Sequence, residues 1–375
     1  MKKVLFLIGS LQGGGAEKVL VDTVNSLVGE KYCITVQTLF DEGIYKSRLS
    51  HAIRYKTIIS CKKGLFRRII GKLLFSALGA SFTYKAFVRD DYDYEIAFLE
   101  GLPTKIISKS TEKKSEKIAW IHTDLIENPN SWKAYGSEKK ECEAYHYFNK
   151  VFCVSKSAED AFRRKYCPQK VEVSTLYNII DDTAIIEASK EPVDLPTKIR
   201  PCLISAGRLI EQKGYDRLLR IHKKLIDEGY MHSLLILGEG NLRAEFEKYI
   251  AENNLQSTAF LLGFQTNPYK YIKSADAFVC SSYAEGFSTV ITESVLCGTP
   301  VIATDVSGNR EPIECPRCSI VVENNEEALY EGLRTLLRKP ALLEQYQKDL
   351  LSKSKFFSRQ CLLDEIEKAV FMYGE

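Results

Sequence analysis

The chain predicts an α/β protein of two doubly wound, parallel-sheet domains. Three observations carry that prediction. Strand-like apolar runs alternate with helical patterns along most of the chain. The runs are apolar at successive positions, as strands buried on both faces must be. The alternation also stops at a polar stretch with three prolines, "EASKEPVDLPTKIRP" (187–201), and starts afresh beyond it. With 375 residues, 45% of them hydrophobic, the chain has material for two cores.

The first half opens on "KVLFLIG" (3–9), followed by "GGGAEKVLVDTVNSL", where Val19, Leu20, Val24 and Leu27 fall at helical spacing. The next strands are predicted at 33–40, 94–100, 117–122 and 150–155. After the linker come strands at 202–207, 233–238, 259–263, 277–282 and 300–304, with helices at 215–227, 242–253 and 289–297 between them. Residues 340–375 have a helical pattern and no strand signal. The predicted domains are 1–186 and 187–354.

Several function classes are excluded or reduced. A net charge of +3 does not point to nucleic acid. No run approaches the roughly 18 apolar residues of a membrane span. The start "MKKVLFLIGS" has too short an apolar run for a secretion signal and leads into a glycine loop, so it reads as the first buried strand of a cytosolic protein. The eleven cysteines are scattered through apolar runs, as small buried hydrophobes. Cys315 and Cys318 form a lone pair where zinc would want a second, so no metal site is expected. The paired carboxylates Asp90–Asp91 and Asp181–Asp182 lie away from any phosphate loop and read as surface turns.

The segment 61–89 stands apart. Leu65, Ile69, Leu73 and Ala77, and Phe66, Ile70, Leu74 and Leu78, make two adjacent i, i+4 rows. Lys62, Lys63, Arg67, Arg68, Lys72, Lys85 and Arg89 are basic, and no acid interrupts before Asp90. Two readings follow. One is a basic amphipathic helix on an anionic membrane. The other is a helix packed on the sheet with its lysines in water.

Ligands of open α/β sheets bind beyond the carboxyl ends of the strands, and three such loops in the second half carry suitable residues. In "AGRLIEQKGYDRLL", Arg208 and Lys213 follow a strand and precede a helix, an arrangement suited to a diphosphate. In "LGEGN", Gly238 and Gly240 bracket Glu239 and admit a ligand close to backbone. In "YAEGFSTVITESVLCGTP", Glu285 and Gly286 form a turn, Ser288 or Thr289 caps a helix, and Glu293 lies about one turn inside it. The helix start attracts phosphate, whereas the two glutamates would repel it and can accept bonds from hydroxyls. A ligand that offers a diol, a diphosphate and a second polyol is a nucleotide sugar. The glycine loop "GSLQGGG" lacks the G-x-G-x-x-G spacing of a dinucleotide site.

These motifs together resemble glycosyltransferase family 4, the retaining enzymes of the GT-B fold. "AGRLIEQKGYDRLL" is similar to the family's G-R-L-x-x-x-K-G segment. "EGFSTVITESVLCGTPVIA" is similar to its E-G-F signature with the Glu-x7-Glu pair. "LGEGNLRAEFE", "VSKSAED", "LYNIID", "GSLQGGGAEKVL" and "WIHTDL" occur in the expected order. The resemblance implies two Rossmann-like domains facing across a cleft, with a last helix at about 355–375 packing back on the first. It implies that Arg208 and Lys213 neutralise the leaving diphosphate. The backbone N–H groups of Phe287, Ser288 and Thr289, beside Gly286, would bind phosphate. Glu293 would hold the ribose and Glu285 would orient the donor sugar. His122, at the end of an apolar strand, would bond the sugar, and Gly14–Gly15 would close over the phosphates. Two departures stand out: Ser288 where glycine or proline is common, and Ser307–Gly308 where Gly-Gly is usual.

The expected activity is transfer of a hexose or N-acetylhexosamine from a UDP-sugar to a lipid-linked saccharide in surface-polysaccharide assembly. Two cations and a helix end would stabilise the leaving group without metal or other cofactor. No carboxylate is obviously placed as a nucleophile. A same-face reaction is therefore expected, with the leaving phosphate taking the acceptor's proton. The protein would be cytoplasmic, held peripherally on the inner membrane face through 61–89. The rivals are a nucleotide-sugar hydrolase or epimerase on the same scaffold, a non-catalytic nucleotide-sugar-binding protein and, last, an NAD-dependent oxidoreductase.

Overall fold

A computed structural model describes residues 1–60, 65–166, 171–311, 319–351 and 359–371. Lys62, Lys63, Cys315, Cys318 and the start of the expected last helix lie outside that set. The chain divides into two compact units, Met1–Ile180 with Gln360–Glu375, and Asp181–Arg359.

The first unit is a seven-stranded, all-parallel sheet. Its strands are β1 (Lys2–Ile8), β2 (Tyr32–Phe40), β3 (Arg54–Ile59), β4 (Tyr94–Ala97), β5 (Glu116–Ile121), β6 (Lys150–Cys153) and β7 (Glu172–Thr175), in the order β3-β2-β1-β4-β5-β6-β7. The order reverses between β1 and β4, the switch point of a doubly wound sheet. Val4 pairs with Ile34 on one side and Tyr94 on the other, so β1 is an interior strand, and successive residues 4–8 are all buried, as coverage of both faces requires. The second unit repeats the plan with β8 (Cys202–Ala206), β9 (Ser233–Leu237), β10 (Ala259–Gly263), β11 (Ala277–Cys280), β12 (Val301–Thr304) and β13 (Ser319–Val322). Their order is β10-β9-β8-β11-β12-β13, with the switch point between β8 and β11.

The structure adds three strands to those expected: β3, β7 and β13. All three are sheet edges. An edge strand is covered less completely than an interior one, and these carry polar or half-exposed positions in place of a continuous apolar run.

The expected boundary at 186/187 falls inside the helix Asp182–Ser189, which belongs to the second unit. Asp181 caps that helix by accepting from Ala184 N at 3.0 Å and pairs with Arg359 at 3.3 Å. Asp90 and Asp91 pair with Lys56 and Lys3, each at 2.9 Å. Within the first unit, Phe371 packs against Tyr32 and Tyr94 at ring-centroid distances of 4.4 and 5.1 Å, and Glu367 pairs with Lys31. The seven cysteines among the described residues are free thiols. Among those residues no helix is long and apolar enough to cross a membrane.

At the amino ends of β9 and β10, two buried histidines form a chain. His222 Nδ1 lies 2.7 Å from His232 Nε2, His222 Nε2 lies 2.9 Å from Thr258 Oγ1, and His232 Nδ1 lies 2.8 Å from the Tyr230 carbonyl. One neutral tautomer set satisfies these three contacts. The Thr258 hydroxyl donates to His222, His222 donates through Nδ1 to His232, and His232 donates through Nδ1 to Tyr230 O. Burial pushes His222 down to about 3 and lowers His232 as well.

Candidate functional site

The residues expected in the second unit converge on the β8/β11 switch point. β8 ends at Ala206, and the chain turns through Glu211–Lys213 into the helix Tyr215–Asp227. Gly214 joins turn to helix at φ +64°, and a Cβ there would sit 2.1 Å from the Ser281 carbonyl oxygen. Only glycine allows that approach, so the β8 loop rests directly on the end of β11.

That contact delivers Lys213 to Glu285. Lys213 Nζ donates to Glu285 Oε1 at 2.5 Å, and Ser282 Oγ donates to the same oxygen at 2.6 Å. Glu285 is only 8% exposed, so it sits as a fixed acceptor rather than a solvated charge. Gln212 ties the two loops further: its side chain donates to Ala284 O and its carbonyl accepts from Tyr283 N, both at 2.8 Å. Ser205, Tyr215, Cys280 and Ser282 line a small pocket behind the pair. Arg208, at the same strand end, is exposed and has no side-chain partner among the described residues.

Glu293 is also buried, on the helix Thr289–Leu296. Ser288 holds the cap position of that helix, but neither it nor Thr289 makes the expected side-chain capping bond. The Ser288 N–H donates to Gly308 O at 3.0 Å and the Thr289 N–H to Phe287 O at 3.1 Å. The Ser288 hydroxyl instead faces the buried Cys280 thiol at 4.0 Å.

The Ser307–Gly308 departure has a physical account. Ser307 Oγ donates to Glu285 O at 2.8 Å and Gly308 N to the same carbonyl at 3.0 Å. A Cβ on residue 308 would lie 2.5 Å from the Gly286 carbonyl carbon, whereas residue 307 uses its side chain to hold the turn. At the end of β9, Gly238 stacks against Gly207, and Glu239 is engaged by Arg243 at 2.7 Å.

Arg217 was not among the residues read from the sequence. It is 1% exposed on the helix Tyr215–Asp227. It donates through Nε and Nη2 to Ser281 O at 2.9 and 2.6 Å, and through Nη2 to Ser282 O at 2.7 Å and Asn324 Oδ1 at 2.9 Å. Its guanidinium lies 4.0 Å from the centre of the Tyr283 ring. A buried arginine therefore pins the backbone that carries Ser282 and Glu285. Sequence spacing shows a cation at this helix position but not what it reaches.

In the first unit the expected residues also lie at carboxyl ends of strands. Gly14 and Gly15 follow β1, where Gly14 opens the helix Gly15–Ser26. His122 follows β5 and packs against Phe98 with ring centroids 4.8 Å apart. Its Nε2 is buried and has no hydrogen-bond partner among the described residues. Burial pushes its pKa down to about 3, so the imidazole is neutral and offers either a donor or an acceptor, not a charge. Glu100 follows β4 and was likewise missed. Its carboxyl accepts from His122 N at 3.0 Å and Thr123 Oγ1 at 2.9 Å, and burial raises its pKa. "FLEG" gave a strand end in sequence, and only the β4/β5 pairing shows that this carboxyl shapes the loop carrying His122.

Comparisons with known proteins bear on both units. Residues 187–350 match the family described as Glycosyl transferases group 1. Over 194 residues the chain is 36% identical to the N-acetylgalactosamine-N,N'-diacetylbacillosaminyl-diphospho-undecaprenol 4-alpha-N-acetylgalactosaminyltransferase of Campylobacter jejuni, covering 51% of each. The match thus spans about half the length of that relative. An uncharacterized glycosyltransferase of Methanocaldococcus jannaschii is 28% identical over 72% of this chain and 68% of its own. The crystal structure of Anabaena HepE in complex with UDP and glucose has a TM-score of 0.79 to this structure at 18% identity, covering 98% of this chain and 99% of that one. The chain has the GT-B fold of two parallel-sheet Rossmann-like units, and its residues 187–350 match glycosyl transferases group 1.

Proposed function

We propose that the protein is a retaining glycosyltransferase of family 4 type. It would move a hexose or N-acetylhexosamine from a UDP-sugar to a lipid-linked saccharide in surface-polysaccharide or glycoconjugate synthesis. The observation that carries this reading is the part-buried Lys213–Glu285 pair at the β8/β11 switch point, with Arg208 exposed at the end of the same strand β8. The Campylobacter relative supports the acceptor class, since its name places a saccharide on diphospho-undecaprenol. The UDP and glucose bound in HepE support the donor class.

Breaking the bond between sugar and diphosphate builds negative charge on the leaving group and positive charge on the sugar carbon. Arg208 and Lys213 would meet the first charge. Lys213 would then share or exchange its Glu285 contact for a phosphate oxygen, and Glu285 would be freed to accept a sugar hydroxyl. Glu293 would accept from the ribose diol. Backbone at Gly238 and Gly286–Thr289 would line the donor. The neutral His122 would bond the sugar, and Gly14–Gly15 would cover the phosphates. The leaving phosphate would take the acceptor's proton on the same face, which retains configuration. These cations would do the work without a metal. The protein would work at the inner membrane face, in peripheral contact through 61–89.

The test is thermal unfolding with UDP, GDP, ADP or NAD, each in EDTA. A ligand at a hundred times its dissociation constant adds about 2.7 kcal/mol. A UDP-specific rise is expected, followed by an acceptor-dependent product with retained anomeric configuration. A rise with NAD alone, or sugar release without acceptor, would overturn the proposal.

A further inference from the structure

Among the side chains described in 69–88, apolar ones lie both in the core and in solvent. Leu74, Phe75, Ala80, Tyr84 and Val88 are buried in the core of the first unit. Phe75 packs edge-on to Phe40 at 5.8 Å, and Gln37 Nε2 donates to Phe87 O at 2.8 Å. Tyr84, fully buried, donates to the buried Glu95 at 2.6 Å. These contacts fix the segment to the sheet. On the outward side, Ile69, Leu73, Leu78, Phe82 and Phe87 are each 40–54% exposed. They account for five of the fourteen large apolar side chains exposed among the described residues, within nineteen positions. A lone exposed leucine needs no explanation, whereas a ridge of five does.

The ridge has a backbone cause. Ile69 and Leu73 are four apart on the first helical stretch. Gly79, at φ +81°, breaks the helix, and Leu78 and Phe82 are again four apart beyond it. The run ends in a π-type turn, Tyr84–Val88, which carries Phe87 to the outward side, where it meets Phe82 with ring centroids 6.4 Å apart. Lys72 and Lys85 are exposed along the same segment.

We infer that this ridge is an insertion surface for an anionic lipid bilayer, with the apolar side chains entering the headgroup region and the lysines meeting lipid phosphates. Charge decides the occupant. Seven cations and no acid occur between residues 61 and 89; of those whose side chains the structure describes, Lys72 and Lys85 are exposed, while Arg89 is paired with Glu112 at 2.7 Å. A second copy of the chain docking here by two-fold symmetry would set this cationic segment against itself. A bilayer with anionic headgroups offers apolar depth and opposite charge together. The membrane contact proposed above thus becomes insertion from a fixed platform, not attraction alone, and it does not depend on the identity of the sugar donor.

The test uses the full chain and sedimentation with phosphatidylglycerol–phosphatidylcholine vesicles. Binding is expected to persist in part at about 1 M salt, where the screening length is only about 3 Å. A double variant, Leu73→Ser with Phe82→Ser, should weaken binding about tenfold or more, with the parent's unfolding midpoint and the parent's response to UDP. Lys72→Glu with Lys85→Glu should weaken it at low salt only. Three results would overturn the inference: a serine variant that binds like the parent, a parent that ignores vesicles, or a parent dimer that the serine variant dissolves. Absence of a UDP response in both proteins would count against the donor site and leave the surface untouched.

Discussion

The two units solve the same topological problem with opposite electrostatics. Each places its residues at carboxyl ends of neighbouring strands: β8 and β11, which flank the reversal, in the second unit, and β1, β4 and β5, at and one strand beyond the reversal, in the first. In the second unit the reversal gathers charge: Lys213 on Glu285, Arg208 exposed beside them, and Arg217 buried beneath. In the first the strand ends hold a neutral imidazole, His122, pushed down to about 3 by burial, and Glu100, a carboxyl whose pKa burial raises and whose two oxygens accept from the His122 loop. An arrangement of cations suits a leaving diphosphate, whereas uncharged donors and acceptors suit hydroxyls. The same sheet plan thus carries a charged cluster in one unit and a neutral imidazole in the other, and the difference lies in the loops.

The largest expected effect breaks the charged side of that comparison. Lys213→Ala should lower turnover about 100- to 1,000-fold, the usual consequence of losing one donor to a developing anion. Steady-state assay with UDP-sugar and acceptor measures it, and unchanged turnover would remove Lys213 from the leaving-group role. Arg217→Met comes next. It leaves the Ser281 and Ser282 carbonyls and Asn324 without their donor, so unfolding free energy should fall by about 2–4 kcal/mol. Urea denaturation reads this directly, and a neutral effect would mean water replaces the guanidinium.

Glu100→Gln sharpens the uncharged side. One of its two acceptor oxygens becomes a donor facing His122 N–H or Thr123 Oγ, which should cost about 1–2 kcal/mol and roughly tenfold in turnover. The thermal response to UDP should not change; if it does, the loop that Glu100 holds takes part in binding the nucleotide as well as the sugar. A last effect, spread over several buried groups and not confined to one contact, is set by pH. His222 and His232 are held neutral, while the unfolded chain takes protons near 6.5. The folded state therefore binds fewer protons below that value. The contribution of His222 is full above about pH 6.5 and is lost as pH falls toward about 3, at up to about 1.4 kcal/mol per pH unit, and His232 acts in the same direction. Denaturation midpoints at pH 7, 6 and 5 should show the slope, and His222→Gln should reduce it, leaving the share of His122, which burial also pushes down to about 3. A slope unchanged by that substitution would place the acid sensitivity elsewhere.

The sequence by itself determined the alternating plan, the interior strands and the strand ends that carry Gly14, His122, Arg208, Lys213, Glu285 and Glu293. Burial on two faces writes a continuous apolar run that any reader can see, and a glycine or charge just after such a run marks its carboxyl end. Tertiary structure alone decided what those residues touch. The edge strands β3, β7 and β13 have too little cover to leave a run. The Lys213–Glu285 bond spans 72 positions and Arg217 to Ser281 spans 64, so neither has a local signal. The segment 61–89 shows the same limit from another side: its apolar rows were legible, and both readings of it assumed a single apolar face. Helical periodicity counts apolar residues without saying which of them the sheet has room to cover, and here it covers Leu74, Phe75, Tyr84 and Val88 and leaves Ile69, Leu73, Leu78, Phe82 and Phe87 outside.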